Sequence, residues 1–131
     1  MTYTFSVSTK AEELVDITGF VQSAIRETGV KSGTALIFCP HTTAAITINE
    51  NADPDVKADL LKGLAYISPD RPVYMHAEGN SPAHIKASLV GSSVSVIIEN
   101  GALLLGTWQG IYFCEFDGPR KRYFHVKIQK D

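Results

Sequence analysis

The chain has 131 residues, 44% of them hydrophobic and 20% charged, and its 12 basic and 14 acidic side chains leave a formal net charge of -2. That length suits a single domain over 1–131 that buries a core without disulfides or a structural metal. The charge balance removes any electrostatic case for nucleic acid or an acidic membrane, and no run approaches the roughly 18 apolar residues of a membrane span. The N-terminus lacks the basic start and apolar core of a signal peptide, so the expected location is cytoplasmic. Cys39 and Cys114 each lie inside an apolar run and are expected to be buried, reduced thiols.

Residues 2–8 alternate, with Tyr3, Phe5 and Val7 on one face, and predict a strand. A second strand follows over 12–17, and the short link between them suits a hairpin. Thr18 is placed to cap a helix over 19–28 that Gly29 ends, with Val21, Ala24 and Ile25 on one side. GTALIFCP (33–40) is continuously apolar and predicts a central strand. Pro40 interrupts it before His41. The strand over 43–49 carries Ile46 and Ile48 on one face, with Glu50 in phase.

Asp53 and Pro54 then start a helix whose expected buried stripe is Val56, Leu60, Leu61 and Leu64. A shorter helix runs from Ser81 to Gly91, with Ile85, Leu89 and Val90 as its apolar residues. Residues 93–99 form another strand. The alternating runs 111–116 and 122–128 flank DGPR (117–120) and read as a terminal hairpin. Strands outnumber helices, which interrupt them singly. The expected class is α+β: a largely antiparallel β-sandwich or small barrel with two to three helices.

Three of the four histidines, His41, His76 and His84, lie by glycines, prolines or polar turns. The Gly79–Asn80 bend lets His76 and His84 approach each other. With His41 they would make an open three-ligand site for a divalent metal, zinc or magnesium, with a position left for water or substrate. Glu50, Asn51, Asp53, Asp55 and Asp59 form a second polar group, with hard oxygens of the kind Mg²⁺ takes. Asp53 and Asp55 also suit the positive end of a helix dipole. Trp108 and Gln109, between glycines, offer a flat ring to stack and an amide to read a ring edge. Arg120 and Arg122 follow a tight turn and could clamp phosphate.

HTTAAITINENADPDV, HAEGNSPAHIKASLVGSS and NGALLLGTWQGIYFCEFDGPRKR together resemble the YjbQ-like family of small bacterial and archaeal proteins. The matched segments span most of 36–128. The resemblance implies an α+β fold with a small barrel or sandwich, and a homotrimer. It also implies a secondary thiamine-phosphate synthase activity, in which a hydroxymethylpyrimidine diphosphate is joined to a thiazole phosphate with loss of pyrophosphate. Carrying the motifs over gives His41, Glu50, His76, His84, Trp108 and Gln109 as site candidates. His41 and Glu50 are then expected in catalysis, and Trp108, Gln109, Asn80 and Arg120 in substrate binding. Two alternatives stay open: a metal-dependent hydrolase of a small phosphorylated or cyclic metabolite, and a non-catalytic trimeric module that binds a metabolite or metal.

Overall fold

The computed structural model describes residues 1–131. Eight strands and three helices follow in the order β1 (Thr2–Ser8), β2 (Glu13–Asp16), α1 (Thr18–Thr28), β3 (Gly33–Phe38), β4 (Ala44–Glu50), α2 (Pro54–Ile67), α3 (Ser81–Val90), β5 (Ser93–Glu99), β6 (Ala102–Leu103), β7 (Gln109–Glu115) and β8 (Lys121–Lys130). They form a five-stranded sheet, β1-β8-β3-β5-β6, and a three-stranded sheet, β2-β7-β4. Every pairing is antiparallel. The expected α+β class holds, with one sheet curled into a half-barrel. No helix is long and apolar enough to cross a membrane.

The main core lies between the sheets. Ile37, Val96 and Phe124 from the larger sheet meet Ile46, Ile111 and Phe113 from the smaller, with Val21, Ala24 and Ile25 of α1 completing the cluster. Each of these side chains larger than alanine contributes roughly 1.5–3 kcal/mol on burial. Helix α1 ends as expected at Gly29, whose φ of 70° is a left-handed conformation. Its start differs. Ile17 is the N-cap, and the Asp16 carboxylate accepts from the Thr18 amide at 2.9 Å. The Thr18 hydroxyl accepts instead from the Ile111 amide.

Both expected hairpins are absent. β1 pairs with β8, and β2 pairs with β7. The links 9–12 and 116–120 therefore carry the chain from one sheet to the other, side by side. Two backbone bonds tie these crossings: Thr9 N–H to Arg120 O and Gly118 N–H to Ala11 O, both 2.9 Å. Between the pairs Ser8–Lys121 and Glu13–Glu115, one arm spends one residue more than the other. An extra residue of this kind sharpens the local bend, as a β-bulge does. Gly118 sits where a Cβ would fall 2.0 Å from Lys10 O, so only glycine admits the close approach.

A second cluster covers the outer face of the smaller sheet. Ala83 and Ala87 of α3 pack on Ala45, Tyr112, Cys114 and Phe116. Of the apolar residues expected on α3, Val90 packs in part against this cluster, but Leu89 is 59% exposed while Lys86 is buried. Alanines bring the helix close to β4, and Lys86 finds Glu12 at 3.3 Å and the Phe116 ring at 5.9 Å. In α2, Asp53 caps as expected, accepting from the Asp55 amide, but no residue of the helix is fully buried. Its Leu60, Leu61 and Leu64 pack against the second cluster only in part. The continuously apolar β3 is central, yet it alternates, leaving Leu36 and Phe38 on the outer face.

Gly118→Ala should cost about 1–3 kcal/mol, the usual range for forcing an atom into filled space. Urea unfolding would measure it. Gly63→Ala, with open space at the Cβ position, serves as the control and should not destabilise.

Candidate functional site

The cleft of interest forms where the chain changes sheets. Glu115 ends β7, and Arg122 stands near the start of β8. Their side chains meet in a bidentate pair, Arg122 Nε to Glu115 Oε1 at 2.7 Å and Nη2 to Oε2 at 2.6 Å. Glu115 is 0% exposed and Arg122 only 4%. Thr9 Oγ donates to the same carboxylate at 2.6 Å, and the Asp117 amide does so at 2.9 Å. Arg122 Nη2 also donates to Thr43 Oγ1 at 2.8 Å. One ion pair thus joins both crossings to the start of β4.

Burial alone would raise the Glu115 carboxyl. The hydrogen bonds from Arg122, Thr9 and the Asp117 amide outweigh it and hold the group below the ordinary carboxylate range. The same hydrogen bonding with Glu115 raises Arg122 despite its desolvation. Both side chains remain charged.

Above this pair lies a cleft of about 370 Å³ with no hydrophobic residue in its lining. His41, His76, Asn80, His84, Arg120 and Arg122 all contribute to it. His41 follows the Pro40 interruption, His76 precedes the Gly79–Asn80 bend, and His84 lies in the first turn of α3. The His76 and His84 rings meet edge to face, 5.3 Å between centroids. An adjoining hollow of about 500 Å³ shares His41 and His84 and is bordered by Ser88 and Ser92. A further groove of about 680 Å³ lies beside Met1, Glu27 and Lys127 and contains none of the candidate residues.

Asp117 fixes two of the cleft residues. Its Oδ2 accepts from Asn80 Nδ2 and from Arg120 Nη2, each at 2.8 Å. Arg120 Nε also donates to the Asp117 carbonyl at 2.7 Å. The exposed guanidinium of Arg120 is therefore held at the cleft. Asn80 Oδ1 is a buried side-chain oxygen without a hydrogen-bond partner.

His41 accepts a hydrogen bond at Nε2 from the Tyr123 backbone N–H, 2.9 Å away. Its pKa is lowered, chiefly by burial and next by the positive charge of Arg122. The ring is neutral at physiological pH.

The three histidines expected to hold a metal line this one cleft. No group of three His, Cys, Asp or Glu side chains is arranged to hold an ion. Glu50 is apart from the cleft. It lies at the opposite end of β4 from His41, six strand residues or roughly 20 Å beyond Ala44. There it pairs with Gln109, and its carbonyl accepts from the Tyr112 hydroxyl. Trp108 stands at the same end, 62% exposed, and the Gln109 side-chain Oε1 accepts from the Gly106 amide. The candidates thus divide into a cleft with His41, His76, Asn80, His84 and Arg120, and a distant group with Glu50, Trp108 and Gln109.

Sequence reasoning missed Glu115, Thr43 and Asp117. The available signal was one carboxylate inside the otherwise apolar run IYFCEF. Arg122, expected as a phosphate clamp, is turned inward to meet it.

The family described as UPF0047 protein YjbQ-like matches residues 3–131. The UPF0047 protein YugU of Bacillus subtilis is 58% identical over 122 residues, covering 92% of each chain. The UPF0047 protein MJ1081 of Methanocaldococcus jannaschii is 58% identical over 132 residues, covering 100% of this chain and 96% of its own. A crystal structure of a YjbQ/UPF0047 family protein from Clostridium acetobutylicum superposes with a TM-score of 0.95 at 58% identity, over 97% of this chain and 99% of that one. The protein therefore belongs to the UPF0047, YjbQ-like family.

Glu115→Gln should destabilise the fold by about 3–5 kcal/mol, because it leaves the buried Arg122 unpaired. The depressed carboxyl also sets a sign with pH. Its contribution is fully present above the ordinary carboxylate range and is lost as pH falls towards the lowered value. Acid unfolding of the wild type should contain this loss, and Glu115→Gln should flatten that part of the curve.

Proposed function

We propose that the cleft binds the phosphoryl part of a small metabolite. The observation carrying this reading is the cleft's lining: the exposed Arg120 guanidinium, oriented by Asp117, stands with three histidines, Asn80 and Glu78, with no hydrophobic residue, over the inward-turned Arg122. Guanidinium groups suit phosphate, which they bind through paired charge-assisted hydrogen bonds.

The activity we propose is of the thiamine-phosphate synthase type, in the cytoplasm. The bond between the pyrimidine methylene carbon and its diphosphate oxygen breaks, and the electron pair leaves with pyrophosphate. The thiazole nitrogen then supplies the pair for the new carbon–nitrogen bond. Fixed positive charge beside the departing diphosphate is the largest help the protein can give. Arg120 is the residue to supply it by contact, since Arg122 is already paired with Glu115.

We further propose that the chain works as a homotrimer. Support comes from the outer face of the larger sheet, where Leu36, Phe38 and Ile97 are exposed together. Trp108, Gln109 and Glu50 would then serve a substrate ring only across a subunit boundary. A second reading, a metabolite-binding module without turnover, is favoured by one observation: Glu50, the expected acid–base group, lies outside the cleft.

Product analysis tests the activity. The protein, given the pyrimidine diphosphate and the thiazole phosphate, should release pyrophosphate and form the joined product. Hydrolysis without joining would identify a hydrolase instead, and ligand binding without turnover would identify the module. Arg120→Ala should reduce turnover roughly hundredfold, the lower end for loss of one stabilising donor, with the melting temperature unchanged. Full turnover in that variant would remove Arg120 from the site.

A further inference from the structure

His41 is the cleft residue whose chemistry the structure defines most narrowly. A backbone N–H can only donate, so the bond from the Tyr123 N–H obliges His41 Nε2 to present its lone pair. In the neutral ring the proton must then sit on Nδ1. Within the chain Tyr123 is the one hydrogen-bond partner of the His41 ring, while the ring borders both hollows.

This arrangement opposes metal ligation at either nitrogen. A metal on Nε2 would displace the Tyr123 bond. A metal on Nδ1 would move the proton to Nε2, where it would face the Tyr123 N–H, hydrogen against hydrogen. Metal-bound histidines almost always donate their second ring N–H to an acceptor. Here the second nitrogen faces a donor.

The lock belongs to the fold. Tyr123 directly follows Arg122 in β8, and Arg122 is fixed by Glu115 and Thr43. His41 is two residues before Thr43. The ion pair therefore sets the spacing between the ring and the amide that holds it. The ring's other flank is the Phe113 edge, 6.4 Å between centroids.

We propose that His41 binds a phosphate oxygen of the ligand through Nδ1–H, as a hydrogen-bond donor locked by the Tyr123 amide, and that it does not coordinate a metal. This rests on the reading of the cleft as a phosphoryl site. Glu115 and Arg122 are positioning residues in this scheme, and His41 is the group that touches the ligand.

The test uses the full chain, treated with a chelator, with ¹⁵N-labelled histidine side chains. Long-range ¹H–¹⁵N spectra at neutral pH should show His41 with a protonated Nδ1 and an unprotonated Nε2. Inorganic pyrophosphate should shift the His41 Nδ1 signal, and Zn²⁺ alone should leave both its nitrogens unchanged. His41→Asn, which keeps a donor near the Nδ1 position, should bind pyrophosphate within about threefold of wild type. His41→Gln, which places its amide near Nε2, should lose about tenfold, the value of one hydrogen bond.

A protonated Nε2, or a Zn²⁺-induced shift of a His41 nitrogen, would overturn the proposal. Pyrophosphate binding without any His41 response would overturn it while leaving the phosphoryl reading intact. No pyrophosphate binding at all would overturn the phosphoryl reading and this proposal with it, even if the tautomer is as stated. Melting curves of both variants should match wild type, which separates a lost donor from a lost fold.

Discussion

The buried pair of Glu115 and Arg122 is the constraint on which the rest of the structure depends. It joins the last residue of one sheet's strand to the strand that follows in the other. A charge pair removed from water is rarely a source of net stability, because desolvation consumes most of the attraction. Its value here is positional. Glu115 uses its oxygens on Arg122, Thr9 and the Asp117 amide, and Arg122 reaches Thr43. Four chain segments are thereby held in one arrangement. An apolar pair of similar volume could fill the space but would not select that geometry.

The polar cleft follows from the same crossing. Where two arms leave one sheet for another, their backbone cannot continue either ladder, and polar side chains take over the bonding. Asp117 satisfies Asn80 and Arg120 together. The Tyr123 amide bonds a histidine ring. Glu115 is spent on Arg122 and Asp117 on Arg120, whose exposed guanidinium stays at the rim beside Glu78. The proposed phosphoryl ligand would meet Arg120 there.

Much of the fold was legible in the sequence. Alternation and one continuous apolar run located all the strands but the short β6, whose residues 102–103 read as part of a turn; Asp53–Pro54 and Gly29 marked helix ends, and the α+β class followed. Strand partners were not legible. Alternation around DGPR is the same whether the flanking strands pair with each other or enter different sheets, and Gly118 decides through a close approach to Lys10 that no local pattern records. The face of α3 was also misjudged. Hydrophobicity favours Ile85 and Leu89, but close packing on β4 favours Ala83 and Ala87. The cleft was legible in part: residue type brought His41, His76, His84 and Arg120 forward. It could not show that a backbone donor occupies His41 Nε2, nor that Glu50, at the far end of β4, and Trp108, just before β7, lie together away from the cleft.

The central claim is that the crossing of the two sheets builds a phosphoryl site. A crystal structure of the protein soaked with pyrophosphate tests it most directly. The account predicts pyrophosphate in the cleft, with oxygens in contact with Arg120 and His41 Nδ1 and the Glu115–Arg122 pair unbroken beneath. Pyrophosphate bound instead beside Glu50 and Trp108, or an empty cleft at saturating ligand, would contradict it.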